Sequence, residues 1–415
     1  MCKILQTSVI YNRKKDSVFS LIISLFLAVT CIKASMQLMF AGEMLWNIVW
    51  SIIILATIAI CFRYYGCILR KGSFLVCSVL FFWLGGTYLW SYLFMKPDQE
   101  FLLSSARILF FGCFPLLMLT SSIQNYEILY RKLFSMSVIC VIVASAAMLY
   151  TFFFQKTSGY SMGVASSLTI PLLCIFSQYL RTRKVFLLPL LICGSLFILL
   201  WGSRGPLLCL IFYCFLVILI KVKWIYKLLF VFLFFNIALF KDFILRILND
   251  FLIGILDQLD IQSRTLRFIF GETESAMDGS LMSRQEIFTT CRELILSHPF
   301  HGEGVFHSII YPYIDAAGVY QNFDISVPYP HNLFLEILLV WGLVAGGLIC
   351  IALFFYLWCP LSLKPGYKKD LWMIFLAGNL LLMFSGTLFN SFIFFILLGI
   401  ICSKKGKRDE NRIYS

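Results

Sequence analysis

LFLEILLVWGLVAGGLICIALFFYLW, residues 333 to 358, holds one charged side chain, Glu336, in a run otherwise apolar or glycine. About 20 such residues suffice for a helix to cross a hydrocarbon core of roughly 30 Å. Lipid leaves no partner for an open backbone, so the run reads as a membrane-spanning helix. Outward from it the pattern repeats. Toward the N-terminus lie Val18 to Phe40, Leu45 to Phe62, Ser73 to Met95, Phe101 to Ser121, Leu133 to Phe154, Gly163 to Leu180, Val185 to Trp201, Pro206 to Ile220 and Trp224 to Phe240. Toward the C-terminus lie Leu371 to Ser385 and Leu388 to Cys402, short enough to be read also as one re-entrant pair.

The expected fold is therefore an all-α polytopic bundle of about twelve transmembrane helices. The chain divides into helices over 1–240, a long loop over 241–332, further helices over 333–402 and a basic tail over 403–415. A closed barrel would show short alternating segments instead. Composition agrees: of 415 residues, 60% are hydrophobic and only 13% charged, against about 25% charged in soluble domains.

The net charge of +13 would suggest nucleic acid in a soluble protein. Its distribution gives it another meaning. Lys3, Arg13, Lys14 and Lys15 precede the first span. Every second loop is then basic: Arg63, Arg70 and Lys71; Arg131 and Lys132; Arg181, Arg183 and Lys184; Lys221, Lys223 and Lys227; Lys364, Lys368 and Lys369. The tail adds Lys404, Lys405, Lys407, Arg408 and Arg412, while the opposite short loops hold only Lys96, Lys156 and Arg204. By the positive-inside rule both termini are expected in the cytoplasm, and no nucleic-acid partner is called for. The first apolar run is too long for a signal-peptide core and is read as retained.

Span parity places the segment between Phe240 and Leu333 outside the cytoplasm. It holds all four histidines, His298, His301, His307 and His331, and is acidic. A loop of this length is usually functional or disordered, and its patterning argues for order. Asp242 to Ile261 reads as an interfacial amphipathic helix, with Ile244, Ile247, Leu248, Phe251, Ile255 and Leu259 at helical spacing. A second helix is expected to open at Ser283, with Glu286 as its capping-box partner, and to stop before Pro299. Cys291 is the one cysteine here, so no intramolecular disulfide framework is expected.

Several features could carry chemistry. Arg204 sits in the turn Gly202-Ser203-Arg204-Gly205-Pro206, and Arg284 in the first turn of the expected capped helix. Either guanidinium suits a phosphate. Arg204 also reads as a headgroup anchor, and Arg284 is unfavourable with the helix dipole. His331, in Pro330-His331-Asn332, reads as a base near neutral pH or as a helix cap. Glu336, inside a span, reads as a partner in the site or as buried polar structure, and Arg107 in the fourth span reads as a cation in a substrate cavity. His298, His301, His307 and Glu303 match no standard zinc spacing, and no metal or other cofactor is expected. Asn379 and Asn390 are expected to make interhelical hydrogen bonds.

The order of these motifs, SRG between two spans, then an Arg-bearing helix, HPFHGEG, and PHNLFLEILLVWGLVAGG, resembles the O-antigen polymerase and O-antigen ligase superfamily (Wzy and WaaL) over residues 200 to 350. The resemblance implies a metal-independent, integral-membrane glycosyltransferase of the bacterial inner membrane, multi-pass, working on the periplasmic or extracellular side. Its substrates would be undecaprenyl-diphosphate-linked glycans. Arg204 and Arg284 would hold the diphosphate, and His331 would take the acceptor proton. Polymerases of this kind also imply a separate chain-length regulator as partner. The GSRGPL and PHNLFLE segments look more like polymerases than ligases. A flippase, the reading from another class, would show repeated halves with interrupted spans, and none is visible. A glycosyltransferase with an acidic motif in its first exported loop is disfavoured by the short Ala41 to Met44 loop.

Overall fold

A computed structural model describes residues 2–39, 43–64, 71–95, 97–155, 162–201, 204–227, 279–314 and 319–403. The expected amphipathic helix over Asp242 to Ile261 and most of the ninth expected span lie outside these residues.

The N-terminal helices follow the apolar runs closely: α1 Cys2–Gln37, α2 Glu43–Arg63, α3 Lys71–Phe94, α4 Gln99–Ile108, α5 Phe114–Ser121, α6 Tyr126–Tyr150, α7 Met162–Thr182, α8 Leu188–Trp201 and α9 Arg204–Lys221. Then come α10 Gly279–Ser297, strands β1 Ile309–Ile314 and β2 Tyr320–Val327, and helices α11 Leu333–Trp358, α12 Tyr367–Gly378 and α13 Phe392–Cys402. Among the described residues, eight helices are long and apolar enough to cross a membrane, with shorter apolar helices at Val185–Leu199 and Phe392–Cys402. The protein is an all-α polytopic membrane protein.

The chain forms two compact units: residues 1–24, 49–132 and 275–415, and residues 25–48 and 133–274. In the second, Cys31, Cys140, Leu168 and Leu172 are among the buried side chains that join α1, α6 and α7. In the first, α5 and α13 approach closely through small residues. A Cβ at Gly399 would lie 2.7 Å from that of Thr120. Contact of this kind drives helix association where lipid removes the hydrophobic incentive. α4 and α5 are joined by a single π-helical turn, Leu109–Cys113, whose Gly112 admits the Phe392 ring. Two buried charges are tied down nearby: Lys15 donates to the Ser122 carbonyl at 3.0 Å and pairs with Asp16 at 3.4 Å.

Three points go beyond or against the sequence reading. The long loop, expected to be partly helical, also holds strands: β1 and β2 form an antiparallel hairpin, with Ile309 opposite Val327 and Tyr311 opposite Ile325. Its signal was the alternation of Phe323, Ile325 and Val327 with Asn322, Asp324 and Ser326. Second, α10 opens at Gly279, so Ser283 is no cap. Its hydroxyl points at the Ile314 carbonyl, at 3.5 Å, while Glu286 accepts from the Tyr320 hydroxyl at 3.0 Å. Arg284 therefore lies beyond the first turn, and the dipole argument for it lapses. Third, the expected span over Leu333 to Trp358 is not one straight helix. Gly342 has φ 76° and ψ 173°, so two helical segments meet there. They fold sharply against each other, since a Cβ at Gly346 would lie 2.8 Å from the Ile337 carbonyl oxygen.

Candidate functional site

Breaking a helix inside an apolar region frees backbone groups that need partners. Here the HPFHGEG turn after α10 supplies them. The Glu303 amide donates to the Leu339 carbonyl at 2.7 Å, and the Gly304 amide to the Val340 carbonyl at 3.3 Å. In return the Val344 amide donates to the Pro299 carbonyl at 3.2 Å. Such an approach needs bare backbone. Gly302, at φ 64°, faces Gly342, and a Cβ on Gly302 would lie 2.5 Å from the Gly342 nitrogen. The turn is held on its other side by α3, through the Val305 amide and the Ser91 hydroxyl at 2.7 Å.

Within the turn, Glu303 is buried and both its oxygens face histidines. His298 bonds to one through Nδ1, and His307 Nδ1 lies 3.6 Å from the other. Burial pushes the His307 pKa down, opposed by the Glu303 carboxylate. No group of three or more His, Cys, Asp or Glu among the described residues could hold a metal ion.

The packing of α10 on the hairpin and on α11 sets the other end of the site. Ile287, Cys291 and Ile295 of α10 form one buried cluster with Ile309, Tyr311 and Leu339. His331 precedes α11 at φ 53°, a left-handed conformation uncommon for a non-glycine residue, and Asn332, not His331, is the cap. The Asn332 side chain accepts from the Phe334 and Leu335 amides, each at 3.1 Å. Partial burial, and next the nearby Arg284 guanidinium, push the His331 pKa down to about 4. The imidazole is therefore neutral at physiological pH, with its charge-free form available to accept a proton. Tyr329 packs edge-on against His331, ring centroids 4.6 Å apart, and Phe101 lies 5.7 Å from Tyr329. Burial and then the Glu336 carboxylate push the Tyr329 hydroxyl above its ordinary pKa.

Glu336 is 4% exposed. The Thr387 hydroxyl donates to one carboxylate oxygen and the Leu388 amide to the other, at 2.9 Å. Next to it, the Asn390 side-chain oxygen accepts from Ser105 of α4 at 2.7 Å, whose hydroxyl meets that of Tyr88 at 2.7 Å. Asn390 thus bonds between elements as expected, whereas the Asn379 amide donates within its own helix, to Phe375.

Of the residues singled out from sequence, the structure brings Arg284 beside His331 and places Glu336 close to Tyr329, their common neighbour. Arg107 does not join them: α4 turns Ser105 inward and leaves Arg107 exposed. Arg204 is the first residue of α9, half-buried, in the other compact unit, and Gly202 and Ser203 lie outside the described residues. Sequence reasoning passed over Tyr329 and Thr387. A tyrosine between two prolines and a threonine after Gly386 were the only signals.

A polytopic membrane protein with a half-buried histidine and an arginine on the segment beside a broken helix is the class that fold and site define. Residues 189–352, about two-fifths of the chain, match the family model described as O-Antigen ligase. Over that segment, which holds Arg204, Arg284, His331 and Glu336, the chain is similar to that family. No curated protein and no solved structure matches the chain.

Proposed function

We propose that this protein is a surface-polysaccharide polymerase of the bacterial inner membrane, with both termini cytoplasmic and its site on the exported face. It transfers a growing glycan from undecaprenyl diphosphate to the distal sugar of a lipid-linked repeat unit, with inversion. The observation that carries the reading is a half-buried His331 near the Arg284 guanidinium within the family-matched segment. His331 takes the proton of the acceptor hydroxyl as its oxygen bonds to the anomeric carbon. The bond from that carbon to the phosphate oxygen breaks, and the lipid diphosphate leaves with the electron pair. Arg284 balances the developing negative charge, as fixed cations do in phosphoryl-group departure. The resemblance also gives Arg204 a phosphate-binding role, and no cofactor is required by these steps.

The description of the matched family favours a second reading, the ligase, with the same donor and the lipid A core as acceptor. Gene deletion followed by electrophoresis of surface glycans separates them. Loss of long chains with a single repeat retained on the core supports the polymerase. Loss of all repeats from the core, with polymer left on the lipid carrier, overturns it in favour of the ligase. Unpolymerised precursor held on the cytoplasmic face would overturn both in favour of a flippase.

A further inference from the structure

The last two helices are joined by a bend that is strongly tied for a connecting segment. Gly386 has φ 86°, and Thr387 opens a short 3₁₀ turn, Leu388–Asn390, by accepting from the Phe389 amide at 3.3 Å. Glu336 grips the start of this turn, and Ser105 grips Asn390 at its end. Glu336 is also one helical turn past the cap, its own amide donating to the Asn332 carbonyl at 2.9 Å. The carboxylate therefore connects the bend to the first turn of α11, at the end that follows His331. Both of its oxygens are occupied by protein donors, and the side chain is sealed from solvent. Sealed from solvent and bonded through both oxygens, the group fixes the helix end.

Resting on the glycosyl-transfer reading above, we infer that Glu336 and Thr387 are positioning residues, which pin the start of α11 to the 387–390 turn and so hold His331 in register with Arg284. Of the two readings that its place in a span allowed, a partner in the site or buried polar structure, this is the first. Displacement of a reacting group by about 1 Å can cost on the order of a hundredfold in rate. Loss of the pin should therefore lower kcat more than it changes KM.

The test uses the full chain in nanodiscs, with the undecaprenyl-diphosphate-linked repeat unit as substrate and rates normalised to monodisperse folded protein. Thr387→Val keeps the shape and removes the donor, and it should lower kcat at least about tenfold with KM within about twofold. Thr387→Ser, which retains the hydroxyl, should restore most of that loss. An unchanged kcat in Thr387→Val, or no rescue by serine, overturns the inference. Should the valine variant fail to fold, Glu336→Gln takes its place. There the amide oxygen still accepts from Thr387 while the NH₂ opposes the Leu388 amide, and the same fall in kcat with KM within about twofold is expected. A wild-type protein that transfers nothing from the lipid diphosphate refutes the functional reading itself, a result distinct from any of these.

Discussion

Replacing Gly302 by alanine tests whether the HPFHGEG turn holds the broken helix together. Gly302 has φ 64°, where a side chain costs about 1–2 kcal/mol. The new Cβ would also lie 2.5 Å from the Leu339 oxygen and 2.6 Å from the Val340 oxygen, as well as 2.5 Å from the Gly342 nitrogen. All three are backbone atoms, so no flexible side chain can yield. The turn must withdraw, and the bonds from Glu303 and Gly304 to those carbonyls lengthen or break. At a net of about 1 kcal/mol each, two lost bonds bring the destabilisation to roughly 3–4 kcal/mol. That is a large fraction of the stability of an ordinary domain, about 5–15 kcal/mol. Gly347 is the internal control: nothing lies within 4 Å of a Cβ there, and its helical backbone should accept alanine with a gain of up to about 1 kcal/mol. Reversible unfolding of both variants in mixed micelles against added SDS gives the comparison. A Gly302→Ala protein within about 1 kcal/mol of wild type would refute the argument that the turn and the helix break are mutually dependent.

The remaining tests concern the charges of the site. His331 is neutral until its low folded pKa is reached, so the wild-type rate should hold down to acidic pH, with half-maximal rate near pH about 4 rather than at the ordinary value of 6.5. His331→Asn should remove both the rate and this limb. Removing the like charge favours the protonated imidazole, so Arg284→Gln should move the limb to higher pH in addition to lowering the rate. A limb that stays in place would separate Arg284 from His331. Arg204→Ala should abolish chain extension at unchanged protein level, and wild-type chain lengths in that variant would remove Arg204 from the mechanism.

The spans were readable because apolar content is a local property, and a run such as Tyr126–Tyr150 needs no partner to be recognised. The break in α11 was not readable from the same signal. Gly342, Gly346 and Gly347 look alike in sequence, yet only Gly342 of the three takes a positive φ. The choice is made by amides of Glu303 and Gly304 arriving from a turn some forty residues upstream, and no local pattern records it. The start of α10 was misplaced for a similar reason. Ser283 and Glu286 have the spacing of a capping box, but both side chains are engaged by the hairpin, whose pairing is non-local. Glu336 could be recognised as a costly charge in a span, whereas Thr387, its donor, looks like any small polar residue in a membrane helix. Arg284 and His331 came to notice through order along the chain and a family resemblance, and only the packing of α10 against α11 explains why they meet.

That packing has a consequence for how the site is held. Arg284 lies toward the start of α10 and the HPFHGEG turn follows its end, while His331 precedes the start of α11 and Leu339 and Val340 close its first segment. Arg284 faces His331, and the turn meets Leu339 and Val340, so the two helices run side by side in the same direction. Ile287, Cys291, Ile295 and Leu339 fill the space between them and the hairpin. The backbone tie at one end and the Arg284–His331 approach at the other are then linked through two rigid helices and one apolar seam. Because neither helix can slide without breaking the Glu303–Leu339 bond, the spacing of Arg284 and His331 is fixed largely by backbone contacts remote from both. Gly302→Ala should therefore lower the transfer rate per folded molecule as well as stability, although it touches neither Arg284 nor His331.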